Sequence, residues 1–242
     1  MELGFLVETT ARLLSGVPLL LKLWALSVAI GALFAVAIAL LRLSGIKPLE
    51  WLAGFYVFVF RGTPLLVQMF LIYYGLSQFP EIRQSFLWVF LREPYWCAIL
   101  AFILNTAAYG SEIVRSGLLA VPFGEVEAAR AFGMSGLLLF RRVIFPIALR
   151  QALPAYGNEI ILMIKATSLA SIITLMEVTG IAQRIISETF RAVEVFICAG
   201  AIYLVINFII SRAVAALEHR LSPHLRDIAD HRPAALLSAG KI

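Results

Sequence analysis

Long apolar runs alternate along this chain with short polar or charged connections. Five runs approach or exceed the roughly 20 residues that a helix needs to cross a bilayer. They place spans at about 18–41, within 51–76, and at about 95–114, 156–176 and 195–214. Each must be helical, because a segment surrounded by lipid has to satisfy its own backbone hydrogen bonds. The expected fold class is therefore an all-α membrane protein of about five transmembrane helices. Residues 1–221 form one membrane domain and 222–242 a short tail, where Pro223, Pro233 and several charges end the apolar pattern. The N-terminus opens with Glu2 and Glu8 and has no basic stretch ahead of the first run. That run is expected to remain as a span and not to be cleaved as a signal.

Polar residues inside the runs fall on two stripes. Asn105, Tyr109, Glu112 and Ser116 recur at helical spacing on the third span, within about 60° of one another at about 100° per residue. On the fourth span Thr167, Ser168, Ser171 and Thr174 fall within about 120° by the same count. Such residues are costly against lipid, so both stripes should face protein or water. Lining of a substrate path and hydrogen bonding between helices both meet that demand. Arg61, Glu112, Glu159 and Lys165 are charges within spans. Glu112 and Glu159 lie near span ends, Lys165 lies deep enough to need a partner or a cavity, and Arg61 is placed to tie the second span to a carboxylate. Pro64, three residues beyond Arg61, predicts a kink.

Composition narrows the class further. The chain is 61% hydrophobic and 14% charged, against roughly 25% charged in soluble domains. The net charge of +5 does not read as a nucleic-acid surface, because Lys and Arg gather at the ends of apolar runs. Arg42, Lys47, Arg115, Arg130, Arg141, Arg142, Arg150, Arg212, Arg220, Arg226, Arg232 and Lys241 fall on one side. Arg12, Lys22, Arg83, Arg92, Arg184 and Arg191 fall on the other. The richer side is expected in the cytoplasm, with the N-terminus outside and the C-terminus inside. Cys97 and Cys198 sit among apolar neighbours and read as buried thiols. Trp51, Trp88, Tyr95 and Trp96 lie near span ends and read as interfacial anchors. His219, His224 and His231 all fall in or beside the tail, away from any nucleophile in sequence. No Cys/His spacing suggests a metal, no phosphate-binding G-x-x-x-x-G-K-[ST] occurs, and no catalytic constellation emerges. Neither a cofactor nor an enzymatic activity is expected.

The polar island at 121–146, VPFGEVEAARAFGMSGLLLFRRVIFP, carries the sharpest signal. Pro122 suits a helix start, Glu125 through Ala131 favour helix, and Gly133 and Gly136 permit a break before a second short helix ends near Pro146. Glu127-Ala128-Ala129, three residues, Gly133, nine residues and Val143-Ile144-Phe145-Pro146 resemble the EAA loop of ABC importer membrane subunits. Val143 and Phe145 stand where the family pattern has Ile and Leu. Further stretches resemble the polar amino acid permease branch, which includes importers of histidine, lysine, arginine, ornithine and opines. They are FRGTPL at 60–65, LNTAAY at 104–109, LPAYGNE at 153–159 and KATSLAS at 165–171. Many relatives carry Asp where this chain has Ala166.

The resemblance implies a type I ABC importer permease fold in the bacterial inner membrane, with a cytoplasmic coupling helix-turn-helix. It implies that Glu127, Ala128, Ala129 and Gly133 receive separate ABC ATPase subunits. It also implies a second permease subunit, homologous or identical, an extracytoplasmic solute-binding protein, and a polar, basic amino acid or opine as substrate. Asn105, Tyr109, Glu112, Asn158, Glu159, Lys165, Thr167, Ser168 and Ser171 are the candidate path residues. Two other readings stay open at this point: a secondary carrier driven by an ion gradient, with Glu112, Glu159 and Lys165 as coupling charges, and a membrane scaffold that does not transport.

Overall fold

The computed structural model describes residues 2–221. The tail assigned to 222–242 lies outside the described residues. Every element among the described residues is helical.

Helix α1 (Leu3–Leu14) turns at Ser15 and Gly16 into α2 (Val17–Arg42), giving one apolar helical unit of 40 residues. α1 was not anticipated from the sequence. It is an amphipathic helix that buries Thr9 and Leu13 and packs on two later helices, while Leu3 and Val7 stay exposed. Helix α3 (Lys47–Gly62) stops at Thr63 and Pro64. The chain then resumes as α4 (Leu65–Phe70), a π turn (Leu71–Gly75) and a 3₁₀ turn (Leu76–Gln78), bent by 105° from α3. Proline disfavours helical backbone in the residue before it, and Thr63 is extended, at φ −113° and ψ 142°. The carbonyls freed by this break need partners away from water. Gln68 supplies them: its Nε2 donates to Phe60 O at 2.8 Å, Thr63 O at 2.9 Å and Thr63 Oγ1 at 2.9 Å.

Short helices α5 (Pro80–Arg83) and α6 (Trp88–Leu91) lead into α7 (Pro94–Leu119). α8 (Phe123–Ala131) and α9 (Gly136–Leu139) follow, then a π turn (Phe140–Ile144) and α10 (Phe145–Ala166). Pro146 has no N–H to give the preceding turn, and a widened turn there accommodates its ring without ending the helix. α10 tightens into a 3₁₀ run (Thr167–Ile173). After a break come α11 (Val178–Thr189), bent by 47° from the preceding helix, and α12 (Ala192–Leu221). α2, α7 and α12 belong to helical units long and apolar enough to cross a membrane alone, and the number rises to five if each of the two bent pairs is one span.

α2 and α7 form the centre of the bundle. Ser27, Gly31, Ala35 and Ala39 recur every fourth residue on α2 and are all buried. A Cβ on Gly31 would lie 2.8 Å from Thr106 Cβ, and one on Gly110 would lie 2.9 Å from Ala35 Cβ. Small residues let helix backbones approach, which is how helices associate where lipid removes the usual hydrophobic drive. α10 approaches α7 in the same way, with Gly117 against the Ala148 carbonyl. One apolar cluster joins Leu13, Leu20, Ile164, Ile185 and Val195, and a second joins Leu23, Met69, Phe102, Met163 and Ile173. Large exposed side chains such as Leu33, Phe58, Leu204 and Phe208 lie on outward faces, where lipid or a partner would meet them.

Candidate functional site

The 121–146 island folds as a helix, a turn and a second helix. Pro122 is the extended N-cap of α8. The helix ends in a Schellman turn: Gly133 N–H donates to Arg130 O at 2.9 Å and Met134 N–H to Ala129 O at 3.1 Å. This turn needs a left-handed residue, and Gly133 has φ +80°. The spacing of Ala129 to Gly133 is thus the spacing of a helix end to its closing glycine. Gly136, at φ +51°, repeats the requirement where α9 begins. α8 buries Ala129 alone and presents Glu127, Ala128, Phe123 and Phe132 to its surroundings. Together they make a small, charged, partly apolar projection.

The candidate path residues do not form one site. Glu112 is paired with Arg42 on α2 and, at 3.0 Å, with Arg115 on its own helix. It lines a cleft of about 420 Å³ with Arg61, Ser116 and Gln151. Arg61 sits over the Tyr109 ring at 5.2 Å and within electrostatic reach of Glu159. Tyr109 donates weakly to Arg61 O at 3.5 Å. The Tyr156 hydroxyl, whose ring lies close to Gly110 on α7, is buried without a partner among the described residues. A second cleft, about 450 Å³, lies between the end of α10 and α12 and is lined by Lys165, Ser168, Tyr203, Leu204 and Asn207. Gln151 and Lys165 are 14 residues apart on the α10 helix, or roughly 20 Å at 1.5 Å per residue. The clefts therefore lie at different heights.

The remaining candidates are distributed as follows. Asn105 is buried, and its Nδ2 donates to Gln68 Oε1 at 3.2 Å, steadying the break after α3. Thr167 is fully buried, with Oγ1 donating to Ile164 O at 2.6 Å. Ser171 is buried and donates to Ser168 O at 2.8 Å. Asn158 is exposed on α10 and Glu159 half-buried. The fourth-span stripe also has a different geometry from the one expected. From Thr167 onward the chain is 3₁₀, and Thr174 turns left-handed at φ +74°, so an α-helical count does not hold there.

Sequence reading counted Arg42 as an orientation signal and not as a partner of Glu112, and passed over Gln68, Glu177, Tyr203 and Asn207. Gln68 was visible as a lone amide in LLVQMFLIYY, four residues after a proline. Tyr203 and Asn207, one turn apart on the last span, were visible as a short polar stripe. Glu177 caps α11 but is not among the usual short capping residues, so it carried no signal.

Residues 27–223 match the family described as "Binding-protein-dependent transport system inner membrane component". The chain belongs to this family. It is 59% identical over 234 residues to the octopine transport system permease protein OccM of Rhizobium meliloti, covering 94% of this chain and 96% of that one. It is 56% identical to the nopaline transport system permease protein NocM of Agrobacterium fabrum, over 93% and 94% of the two chains. It is 37% identical to the histidine/lysine/arginine/ornithine transport system permease protein HisM of Escherichia coli, over 93% and 95%. Among solved structures, a chain of an amino acid ABC transporter superposes with a TM-score of 0.81 at 38% identity, over 91% of this chain and 99% of that one. A methionine ABC transporter chain at 17% identity and a TM-score of 0.70 shares the fold. Family membership favours ATP-coupled import over the ion-gradient carrier and the scaffold.

Proposed function

We propose that this chain is one permease subunit of an ATP-driven importer that brings a polar amino acid or opine, cationic in part, into the cytoplasm. The observation that carries the reading is the exposed α8, with Glu127 outward and Gly133 closing the helix, in a chain similar along nearly its whole length to opine permeases. Separate ATPase subunits dock on the face of α8 that carries Glu127 and Ala128 and on the turn at Gly133, while Ala129, expected to join them, is buried and seats α8 on its own chain. A second permease subunit, homologous or identical, completes the transmembrane path, and an extracytoplasmic binding protein delivers substrate. ATP binding shifts the inward-open to outward-open equilibrium only through contacts that differ between those states. α8, set on the connection between α7 and α10, is the element through which such a difference would reach the bundle.

The chain lies in the bacterial inner membrane with its N-terminus outside and α8 inside, as the basic residues imply. A cysteine introduced at Ser135, after Cys97 and Cys198 are replaced, is expected to resist an impermeant thiol reagent in intact cells and to react in inverted vesicles. Labelling from outside would reverse the topology.

Function is tested by reconstituting the chain with ATPase, partner permease and binding-protein subunits and measuring uptake of labelled arginine, histidine, octopine and nopaline. ATP-dependent uptake of at least one is expected. Uptake that persists with a disabled ATPase and follows an ion gradient would replace this reading with the secondary carrier.

A further inference from the structure

We propose that Tyr203 is a wall residue of the substrate path and that Glu177 is its positioning residue, fixing the phenol from the first turn of α11. This rests on the reading that the end of α10 borders the path. The cleft beside Lys165 and Ser168 has Tyr203 and Asn207 as its α12 wall. Lys165 is exposed on this chain, and an ammonium at membrane depth does not face lipid. The cleft therefore meets water, substrate or protein. Leu204, more than half exposed, is the apolar member of its lining.

The Tyr203 hydroxyl does not point freely into this space. It donates to Glu177 Oε2 at 2.8 Å and lies 3.1 Å from Thr179 Oγ1. Glu177 is fully buried, and both of its oxygens are engaged: Oε1 accepts from Gly180 N–H at 2.9 Å and Oε2 also from Thr179 N–H at 2.8 Å. A buried carboxylate is tolerated only when so satisfied. A helix cap alone would be served by Ser, Thr, Asp or Asn, whereas glutamate reaches past the cap to α12. The backbone holding Glu177 has little room to move. A Cβ on Gly16 would lie 2.7 Å from the Glu177 carbonyl carbon, and one on Gly180 would lie 2.2 Å from Leu175 O. Tyr203 is thus oriented by the α1–α2 elbow and by α11, not by α12 alone. With its hydroxyl engaged, it offers the cleft its ring, a surface suited to the aliphatic stem of an amino acid or opine whose carboxylate the Lys165 ammonium would meet.

The test is direct binding of labelled arginine and labelled octopine to the purified permease–ATPase complex in nanodiscs, without the binding protein. Variants are Tyr203→Phe, Tyr203→Leu, Glu177→Gln and, as a path control, Ser168→Val. Tyr203→Phe and Glu177→Gln are each expected to weaken binding roughly three- to tenfold, the loss of one hydrogen bond's ordering. The double variant is expected to be no worse than the more affected single, because both act through one contact. The thermal stability of each complex is measured alongside, and binding that weakens only together with a loss of stability overturns the proposal. Weakened binding in Ser168→Val with Tyr203→Phe and Tyr203→Leu both unchanged overturns the proposal and leaves the path reading standing. Unchanged binding in all variants overturns both. Tyr203→Phe keeps the ring and tests the ordering by Glu177 even if Glu177→Gln does not assemble, and Tyr203→Leu removes the ring and tests the wall. Tyr203→Leu weakened with Tyr203→Phe unchanged overturns the positioning role of Glu177.

Discussion

Glu127→Lys is expected to abolish uptake while leaving the protein inserted and folded. Glu127 is exposed on a helix that buries only Ala129, and substitutions at such positions usually change stability by less than about 0.5 kcal/mol. What changes is the charge offered to the docked ATPase. Truncating one member of an interfacial charge pair costs about 2–5 kcal/mol, and reversal adds repulsion. That corresponds to a weakening of roughly thirty- to several-thousandfold. Uptake, membrane abundance and co-purification of the ATPase are measured together. Glu125→Lys, also exposed on α8 but two residues away and so on a different face, controls for general surface charge. Normal uptake by a normally expressed Glu127→Lys protein would sink the docking role.

The helices that cross the membrane were legible in the sequence because their signal is length and hydropathy. The turn after α8 was legible because glycine adopts the left-handed backbone of Gly133 without the steric cost other residues meet. Pro64 announced an interruption, but its size did not follow from proline alone. The 105° bend also needs Gln68 to satisfy the freed carbonyls, and that amide looked like one polar residue in an apolar run. α1 and α11 were missed for a common reason. Each mixes charges with apolar residues over 12 positions, which reads as a connection when the search is for uninterrupted apolar runs. The polar stripes were legible as polar residues that avoid lipid. Their division into packing and cleft-lining groups was not, because spacing says which residues share a face but not what that face meets. Thr167 and Ser168 are adjacent, yet one is fully buried and the other lines a cleft. The change from α to 3₁₀ winding at Thr167 carries no proline or glycine to announce it.

Glu112→Gln is expected to lower transport of a cationic substrate ten- to a hundredfold, the effect of losing a charge-assisted contact of about 1.5–3 kcal/mol. Glu112 borders the cleft that also holds Arg61 and Ser116, and it is the acid there that a cation would meet. It already balances two guanidiniums, Arg42 and Arg115, whose side chains are about a quarter exposed. Removing its charge therefore has two separable consequences. As a path contact, it discriminates by substrate charge: arginine uptake falls and that of a neutral amino acid carried by the same complex does not. As a clamp between α2 and α7, it leaves two half-buried cations facing each other, and all substrates and the thermal stability of the complex fall together. Arg42→Gln tells the two apart. In the clamp case it reproduces Glu112→Gln and the double variant is less than additive; in the path case arginine uptake is retained. Uptake against substrate concentration, with abundance and ATP hydrolysis followed in parallel, reads out both. If neither the half-saturating concentration nor the maximal rate changes in Glu112→Gln, the third-span stripe serves helix packing, and the path must be sought along α10, α12 or the partner subunit.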